Sequence, residues 1–478
     1  TRYDSIGNIK QLIREKFARD ESVIIICPTI VSAEHLKNSL ETGIEDSTVV
    51  YHSDISKKEK DKAFKKIFSN KKVCLISTPN IIGIFSHNPY TIIIHEEESK
   101  YYDHVLERVN ARNIFYFLAK SLGIETILTS KTPSLEHYYL SLTEMRSPLL
   151  VQNYAKEKIL FSKMNDRDHR PYSMYFSYEL KLMMDECVKE NKKVVLYSQR
   201  KGISSSSVCA DCGESVKCET CDKDLCLFTS DNTRYYRCLE CKTKIKLDSE
   251  IVCKVCGGMR INTLGVGTEG LMLDLATLYP DTNIYIMDGD HVKSKREALK
   301  LYEKFSELGG ILVGTEMMLP IIRDIDLIGL ISIDTYFSLP EYNTDEEALG
   351  TTLLLANSLS QNGRIVIQSR RKSHIWDFAQ SASLKKYYES ELDNRNETKL
   401  PPFSYVISFD LPDNINPPEF IHDHTSEYYN IKSKNFTRHI FFIPRKTWQE
   451  DPSLRLNIVN LLITYNLEVN GRSILKGL

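Results

Sequence analysis

The chain has 478 residues, room for roughly three domains, and its 42% hydrophobic and 26% charged content is ordinary for a folded globular protein. A net charge of −2 excludes a global basic signature of nucleic-acid binding, so any contact with DNA must come from local patches. No apolar run reaches the length of a membrane span, and twelve cysteines, eight of them in C-x-x-C pairs, fit a reducing cytoplasm better than a disulfide framework.

In chain order, Ile9, Leu12, Ile13 and Phe17 have helical spacing. Val23 to Cys27 is a continuous apolar run of the kind that forms a buried parallel strand. A helix over Ala33–Leu40 leads to a strand over Ser47–Tyr51. The lysine-rich run Ser56 to Lys72 reads as a helix with a solvated basic face; Lys65 and Lys66 in it are candidate phosphate contacts. Strands follow at Val73–Ser77, Tyr90–Ile94 and Glu125–Leu128. Short buried strands alternating with helices define a doubly wound α/β layer, whose chemistry sits at the carboxyl ends of the strands. Those ends carry Pro28-Thr29, Ser77-Thr78, His95-Glu96 and Thr129-Ser130.

A polar linker is expected near Lys163–Tyr172, then a helix over Tyr175–Glu190 and a strand over Lys193–Ser198. After a cysteine-rich insert the α/β pattern resumes, with strands at Asn283–Met287, Ile311–Gly314, Leu327–Ile333 and Gly363–Gln368 and a helix over Asp345–Leu359. The last segment begins at Lys399-Leu400-Pro401-Pro402, with strands at Tyr405–Phe409, His439–Phe442 and Leu467–Asn470 and a helix over Pro452–Tyr465.

The insert holds Cys209 and Cys212, Cys218 and Cys221, Cys238 and Cys241, and Cys253 and Cys256. C-x-x-C puts two thiolates on one side of a tight knuckle, and two knuckles complete a tetrahedral zinc site. Four knuckles therefore make two closed, structural sites. Gly213, Gly257 and Gly258 follow second cysteines, where the turn favours a residue without Cβ. Cysteines so close in sequence bridge poorly as disulfides. Cys226 is a ninth cysteine here and reads as a packed side chain, like Cys27, Cys74 and Cys187 elsewhere.

Two α/β lobes in series are the layout of a helicase motor. A phosphate loop should precede the first helix, but Thr1 to Gly7 contains no G-K-[ST]. A magnesium-binding acid is expected after the strand at Tyr90–Ile94; His95 stands first there and Glu96 second. Without a phosphate loop, Glu96, Glu97 and Glu98 read as a solvated acidic corner.

Two lobes, a nested eight-cysteine insert and a Leu-Pro-Pro junction together resemble the PriA family of bacterial primosomal replication-restart helicases, superfamily-two motors. The likeness rests on Tyr51-His52-Ser53, Glu96-Glu97, Thr132-Pro133-Ser134-Leu135-Glu136, Gly265-Val266-Gly267-Thr268-Glu269, Val313-Gly314-Thr315-Glu316-Met317, Leu400-Pro401-Pro402-Phe403 and the spacing of Cys209, Cys212, Cys218 and Cys221. The resemblance implies two RecA-like helicase lobes, a zinc-ribbon module inserted in the second, and a small α+β C-terminal domain. The segments are then 1–160 for the first lobe, 161–204 for the linker and the start of the second, 205–260 for the zinc module, 261–398 for the rest of the second lobe and 399–478 for the C-terminal domain. It also implies two structural zinc ions per chain. Cys209, Cys212, Cys253 and Cys256 share one; Cys218, Cys221, Cys238 and Cys241 share the other. The inner pair closes a hairpin around Leu227, Phe228, Tyr235 and Tyr236.

The sequence departs from the family at the nucleotide site. Ser5 stands where the phosphate-loop lysine belongs, and His95 replaces the magnesium-binding Asp, leaving Glu96 as a vestige. Thr129 and Lys131 replace a glycine and an alanine of the third motif, and Ser358 and Gln361 replace both arginines of the last. Loss of an arginine finger alone costs about a thousandfold or more in rate. In these losses the chain is similar to the actinobacterial form of the family. The implied function is a replication-restart primosome protein that binds abandoned or forked DNA and supports primosome assembly and helicase loading without ATP hydrolysis. An active ATP-dependent 3′–5′ DNA helicase and a zinc-stabilised interaction scaffold are the alternatives; binding of ATP and magnesium stays open. Implied partners are forked or single-stranded DNA, primosome proteins and single-stranded DNA-binding protein, for a cytoplasmic monomer. Tyr101, Tyr102, Lys242, Lys244 and Lys246 join Lys65 and Lys66 as candidate DNA contacts, although paired tyrosines at a helix start more often pack. The chain begins at Thr1 rather than Met; the family's amino-terminal DNA-binding domains would lie upstream of it, and the expectation is a form lacking them.

Overall fold

The computed structural model describes residues 2–3, 6–40, 47–69, 71–81, 90–103, 111–143, 158–164, 175–198, 206–209, 216–220, 225–230, 233–238, 241, 243–246, 252–253, 257–259, 261–264, 268–289, 291–331, 333, 336, 342–369, 374–381, 384–412, 415–432, 437–464 and 467–469. They form two compact units.

The first unit is built on a six-stranded parallel sheet. Its elements are β1 (Arg2–Tyr3), α1 (Ile6–Ala18), β2 (Ser22–Ile26), α2 (Ile30–Leu40), β3 (Thr48–Tyr51), α3 (Lys57–Ile67), β4 (Cys74–Ser77), β5 (Tyr90–Ile94), α4 (Ala111–Leu122), β6 (Thr126–Ser130) and α5 (Leu135–Thr143). The strand order is β1-β6-β5-β2-β4-β3. Apolar runs such as Val23–Ile26 are continuous because both sheet faces are covered. Ile24 and Ile26 pack with Val49, Ala63, Ile67 and Phe115 on one face, while Val23 and Ile25 pack with Ile9, Leu12, Ala33 and Leu36 on the other. Parallel registers align Ile26 with Ile94 and with Ser77, and Tyr3 with Ser130. The carboxyl ends singled out in the sequence therefore share one edge.

The second unit holds another six-stranded parallel sheet, ordered β14-β15-β8-β16-β17-β7. Its elements start with β7 (Ile159–Lys163), α6 (Tyr178–Lys189) and β8 (Lys193–Tyr197). Short antiparallel strands interrupt it: β9 (Ser206–Cys209), β10 (Leu225–Ser230), β11 (Thr233–Cys238), β12 (Lys244–Lys246) and β13 (Ile261–Leu264). The layer resumes with α7 (Thr268–Leu278), β14 (Ile284–Met287), α8 (Lys295–Leu308), β15 (Gly310–Gly314), β16 (Ile325–Leu330), α9 (Thr344–Ala356), β17 (Leu359–Ser369) and α10 (His374–Ser381). Gly309, which ends α8, has φ +66, and a Cβ there would lie 2.5 Å from the Asn191 carbonyl oxygen.

The chain then returns to the first unit with α11 (Leu384–Glu397). Tyr388 donates a hydrogen bond to the Pro133 carbonyl, and its ring packs 4.9 Å from that of Tyr138 on α5. A four-stranded sheet follows, ordered β19-β20-β18-β21 from β18 (Ser404–Leu411), β19 (Glu427–Lys432), β20 (Thr437–Pro444) and β21 (Leu467–Val469).

Several element bounds differ from the sequence reading. β7 runs through 160 and 161, where the first boundary was placed, and α11 packs with the first unit although its residues fall in the 261–398 segment. The helix expected to Leu359 ends at Ala356 and the strand begins at Leu359. There Ser358 N–H donates to the Leu355 carbonyl, and Ile325 N–H donates to the Ser358 carbonyl, which draws the chain into the sheet.

Candidate functional site

The turn after β5 holds the first constellation. Glu96 adopts φ 51, a left-handed conformation unusual for a residue with a side chain. Its neighbours are thereby turned inward: His95 N–H donates to the Ile26 carbonyl and Glu97 N–H to the Thr129 carbonyl. His95, where a magnesium-binding acid was expected, is buried with Nδ1 3.0 Å from Thr129 Oγ1. Tyr102 is fully buried, and its hydroxyl donates to the Ile26 and His95 carbonyls. It is a packing residue; Tyr101 is half-buried beside it.

The acidic corner is solvated only in part: Glu96 and Glu98 are half-buried and Glu97 is wholly enclosed. Glu97 has no exposed surface, and its carboxylate accepts from Arg112 Nη1 at 3.0 Å, Ser134 N–H at 2.7 Å and Ser134 Oγ at 3.1 Å. His137 Nδ1 lies 2.7 Å from the same carboxylate. Burial pushes this carboxyl up, but the charge and hydrogen bond of His137, with the Arg112 guanidinium and Ser134 N–H, outweigh it and hold Glu97 at about 2. Ser134 precedes α5, so Glu97 also sits at the positive end of that helix. Glu98 accepts from Ser130 Oγ at 2.7 Å and Lys131 N–H at 3.3 Å; burial, then the Glu97 and Glu96 carboxylates, push it up to about 8. Ser130 and Lys131 belong to the third motif, so Glu97 and Glu98 join β5 to β6 and α5. Sequence reasoning missed Arg112 and His137. Ser134 followed by His137 three residues on was the local sign of a helix start; nothing in the sequence points to Arg112.

The remaining nucleotide-site candidates are scattered or undescribed. Ser5 lies outside the described residues. Ser358 is buried in the turn between α9 and β17, with Oγ 3.4 Å from the Leu354 carbonyl oxygen; Gln361 is exposed on β17.

The second constellation is the cysteine insert. β10 and β11 pair in the register Leu227 with Tyr236 and Phe228 with Tyr235, the hairpin expected there. The thiols of Cys218, Cys238 and Cys241 lie within 4.8 Å of one another, with Cys218 and Cys241 sulfurs 3.6 Å apart. That is too far for a disulfide, which needs ~2.0 Å, and matches sulfurs on a tetrahedral zinc with bonds of ~2.3 Å. The donors fit a thiolate-preferring metal, with Cys241 the exposed member. Cys209 and Cys253 are buried. In the knuckle at Cys253, Gly257 N–H donates to the Cys253 carbonyl at 2.8 Å, and Gly257 has φ +71, as its place after Cys256 requires. Cys212, Cys221, Cys256, Gly213 and Lys242 lie outside the described residues, as does the side chain of Cys226. Lys244 Nζ sits 4.9 Å from the Tyr235 ring centroid.

Two parallel α/β sheets in series, with strand-end motifs on the first and an antiparallel insert in the second, define a protein of two RecA-like helicase lobes. No family model matches the chain. It is similar to the replication restart protein PriA of Bacillus subtilis, at 24% identity over 83% of this chain and 50% of the relative. The corresponding values are 25%, 82% and 53% for PriA of Thermotoga maritima, and 22%, 82% and 60% for PriA of Borreliella burgdorferi. The chain thus resembles PriA over about four fifths of its length and spans between 50% and 60% of these relatives. Among solved structures, Saccharomyces cerevisiae Dbp5 bound to RNA and ADP BeF3 is similar at TM-score 0.46 and 11% identity, over 83% of this chain and 88% of that one. RecG bound to a three-way DNA junction is similar at TM-score 0.45 and 11% identity, over 81% and 42%.

Proposed function

We propose that this chain is a PriA-like replication-restart protein that binds abandoned or forked DNA and supports primosome assembly and replicative helicase loading without hydrolysing ATP. The observation that carries the loss of turnover is His95, buried with Nδ1 3.0 Å from Thr129 Oγ1 at the position of the magnesium-binding acid. A motor needs an acid oxygen there to hold magnesium, and the imidazole engaged with Thr129 supplies none. Ser358, buried and bonded within its own turn, offers no cation to a transferring phosphoryl group. On this reading the chain holds no ATP or magnesium for turnover.

The eight knuckle cysteines hold two structural zinc ions, in the outer and inner sets that the family resemblance implies. The zinc module, inserted within the second lobe, is the surface for primosome proteins and single-stranded DNA-binding protein, in a cytoplasmic monomer. Among the described residues no helix is long and apolar enough to cross a membrane.

The test is ATP hydrolysis with and without forked DNA on zinc-loaded protein, beside a relative with intact phosphate-loop and arginine motifs. Absence of DNA-stimulated turnover, with salt-sensitive fork binding, is expected. DNA-stimulated turnover overturns the reading.

A further inference from the structure

Helix α3 concentrates charge in a chain whose net charge is −2. It carries Lys57, Lys58, Lys60, Lys62, Lys65 and Lys66 against Glu59 and Asp61. The acid Glu59 is engaged at the helix start: its carboxylate accepts from Ser56 N–H at 2.8 Å and Ser56 Oγ at 2.6 Å, closing a capping box. Lys60 donates to the Ser53 carbonyl, and the nearby Lys72 pairs with Asp20 at 3.1 Å. Among the described residues no ion pair neutralises Lys58, Lys62, Lys65 or Lys66, all of them exposed. These four recur at spacings of four, three and one, a single stripe opposite the buried Ala63 and Ile67. The stripe is about 12 Å long at the helical rise per residue.

Beside it runs an aromatic row. The rings of Phe64 and Phe68 stack at 6.3 Å with an interplanar angle of 8°. Phe64 is anchored edge-on against Tyr51 at 5.4 Å, whereas Phe68, at the end of the helix, is 61% exposed. The stack on Phe64 thus leaves most of the Phe68 ring in solvent, at the end of a helix whose exposed lysines make no ion pair among the described residues.

We infer that the α3 face is a binding surface for single-stranded nucleic acid, with Lys58, Lys62, Lys65 and Lys66 along the phosphates and Phe68 stacked on a base. This deepens the DNA-binding reading and rests on it. Phosphate contact requires a row of exposed cations; an accessible ring flanking that row is what separates single-strand capture, which uses base stacking, from duplex-backbone contact, which does not.

The experiment uses the full zinc-loaded chain and a fluorescein-labelled oligothymidylate, read by anisotropy across a salt series, with a forked duplex alongside. The double substitution Lys65→Glu with Lys66→Glu is expected to weaken oligothymidylate binding about tenfold or more and to reduce the salt slope by about 1.4, at ~0.7 per lost phosphate contact. Phe68→Ala is expected to weaken binding about tenfold with the salt slope unchanged. Phe68→Trp supplies a positional readout: its fluorescence is expected to be quenched on adding oligothymidylate. All sites are exposed, and unchanged melting curves verify that the variants fold. Wild-type protein that binds neither DNA overturns the DNA-binding reading and this inference with it. Wild-type binding that the variants leave unchanged, with no quench at Trp, overturns this inference alone. Variants that lose polyglutamate binding but keep oligothymidylate overturn it in favour of an acidic protein partner.

Discussion

His137 Nδ1 lies 2.7 Å from Glu97 Oε2, and neither side chain reaches water: Glu97 is 0% exposed and His137 2%. This contact fastens the turn after β5 to the first turn of α5. The second glutamate after His95 thus acts as a staple between two sheet-edge loops. A buried carboxylate of this kind is held only while its donors remain, because removing one partner strands the other charge.

The pH dependence follows from Glu97. Its ordinary value is 4.5 and it is held at about 2 in the folded chain. The unfolded chain binds the extra proton between those values, so stability is fully present above about pH 5 and is lost as pH falls toward 2. Glu97→Gln is expected to flatten urea-unfolding midpoints across that window and to cost about 3 kcal/mol at neutral pH. An unchanged pH slope in the variant counts against the staple.

Glu98 has the opposite sign. Pushed up from 4.5 to about 8, it keeps its proton when folded and loses it when unfolded between those values. Stability from this group therefore falls as pH rises from about 4.5 to 8. Glu98→Gln can still accept from Ser130 and Lys131, and is expected to remove this decline and melt higher than wild type at pH 8. Parallel melting curves of wild type and variant from pH 5 to pH 8 exclude the assignment.

Metal content tests the cysteine pairing. Two zinc equivalents are expected by elemental analysis. Cys218→Ser with Cys241→Ser removes one, because both thiols belong to the cluster that includes Cys238. Cys218→Ser with Cys253→Ser removes both under the outer and inner pairing. One equivalent retained in that second variant would assign Cys253 to the cluster of Cys218.

Restoring an arginine at the last motif is expected to harm the protein rather than revive it. Ser358 is 4% exposed in the turn that Ile325 N–H closes. Ser358→Arg forces a charged side chain into packed surroundings and is expected to destabilise by about 2 kcal/mol or more, with no gain in ATP hydrolysis. Gln361→Arg lies on the exposed part of β17 and is expected to stay within about 0.5 kcal/mol of wild type. Calorimetry and a phosphate-release assay read both.

Most strands of both sheets were legible in the sequence, because a strand buried on two faces must be apolar throughout; Val23–Ile26, Ile311–Gly314 and Leu327–Leu330 announce themselves that way. The spacing of the C-x-x-C pairs and the glycines after them is likewise local, whereas the hairpin and the departures at His95, Ser358 and Gln361 were expected from the family resemblance. What those departures became depended on contacts between distant segments. Glu96, Glu97 and Glu98 are identical letters, yet a left-handed residue at Glu96 sends Glu97 into a site built by Arg112 and His137 from other helices. The edge strands β1 and β7 and the return of α11 to the first unit were hidden for the same reason. Local pattern reports which face of an element is buried, whereas the partner that buries it is chosen by packing between segments far apart in the chain.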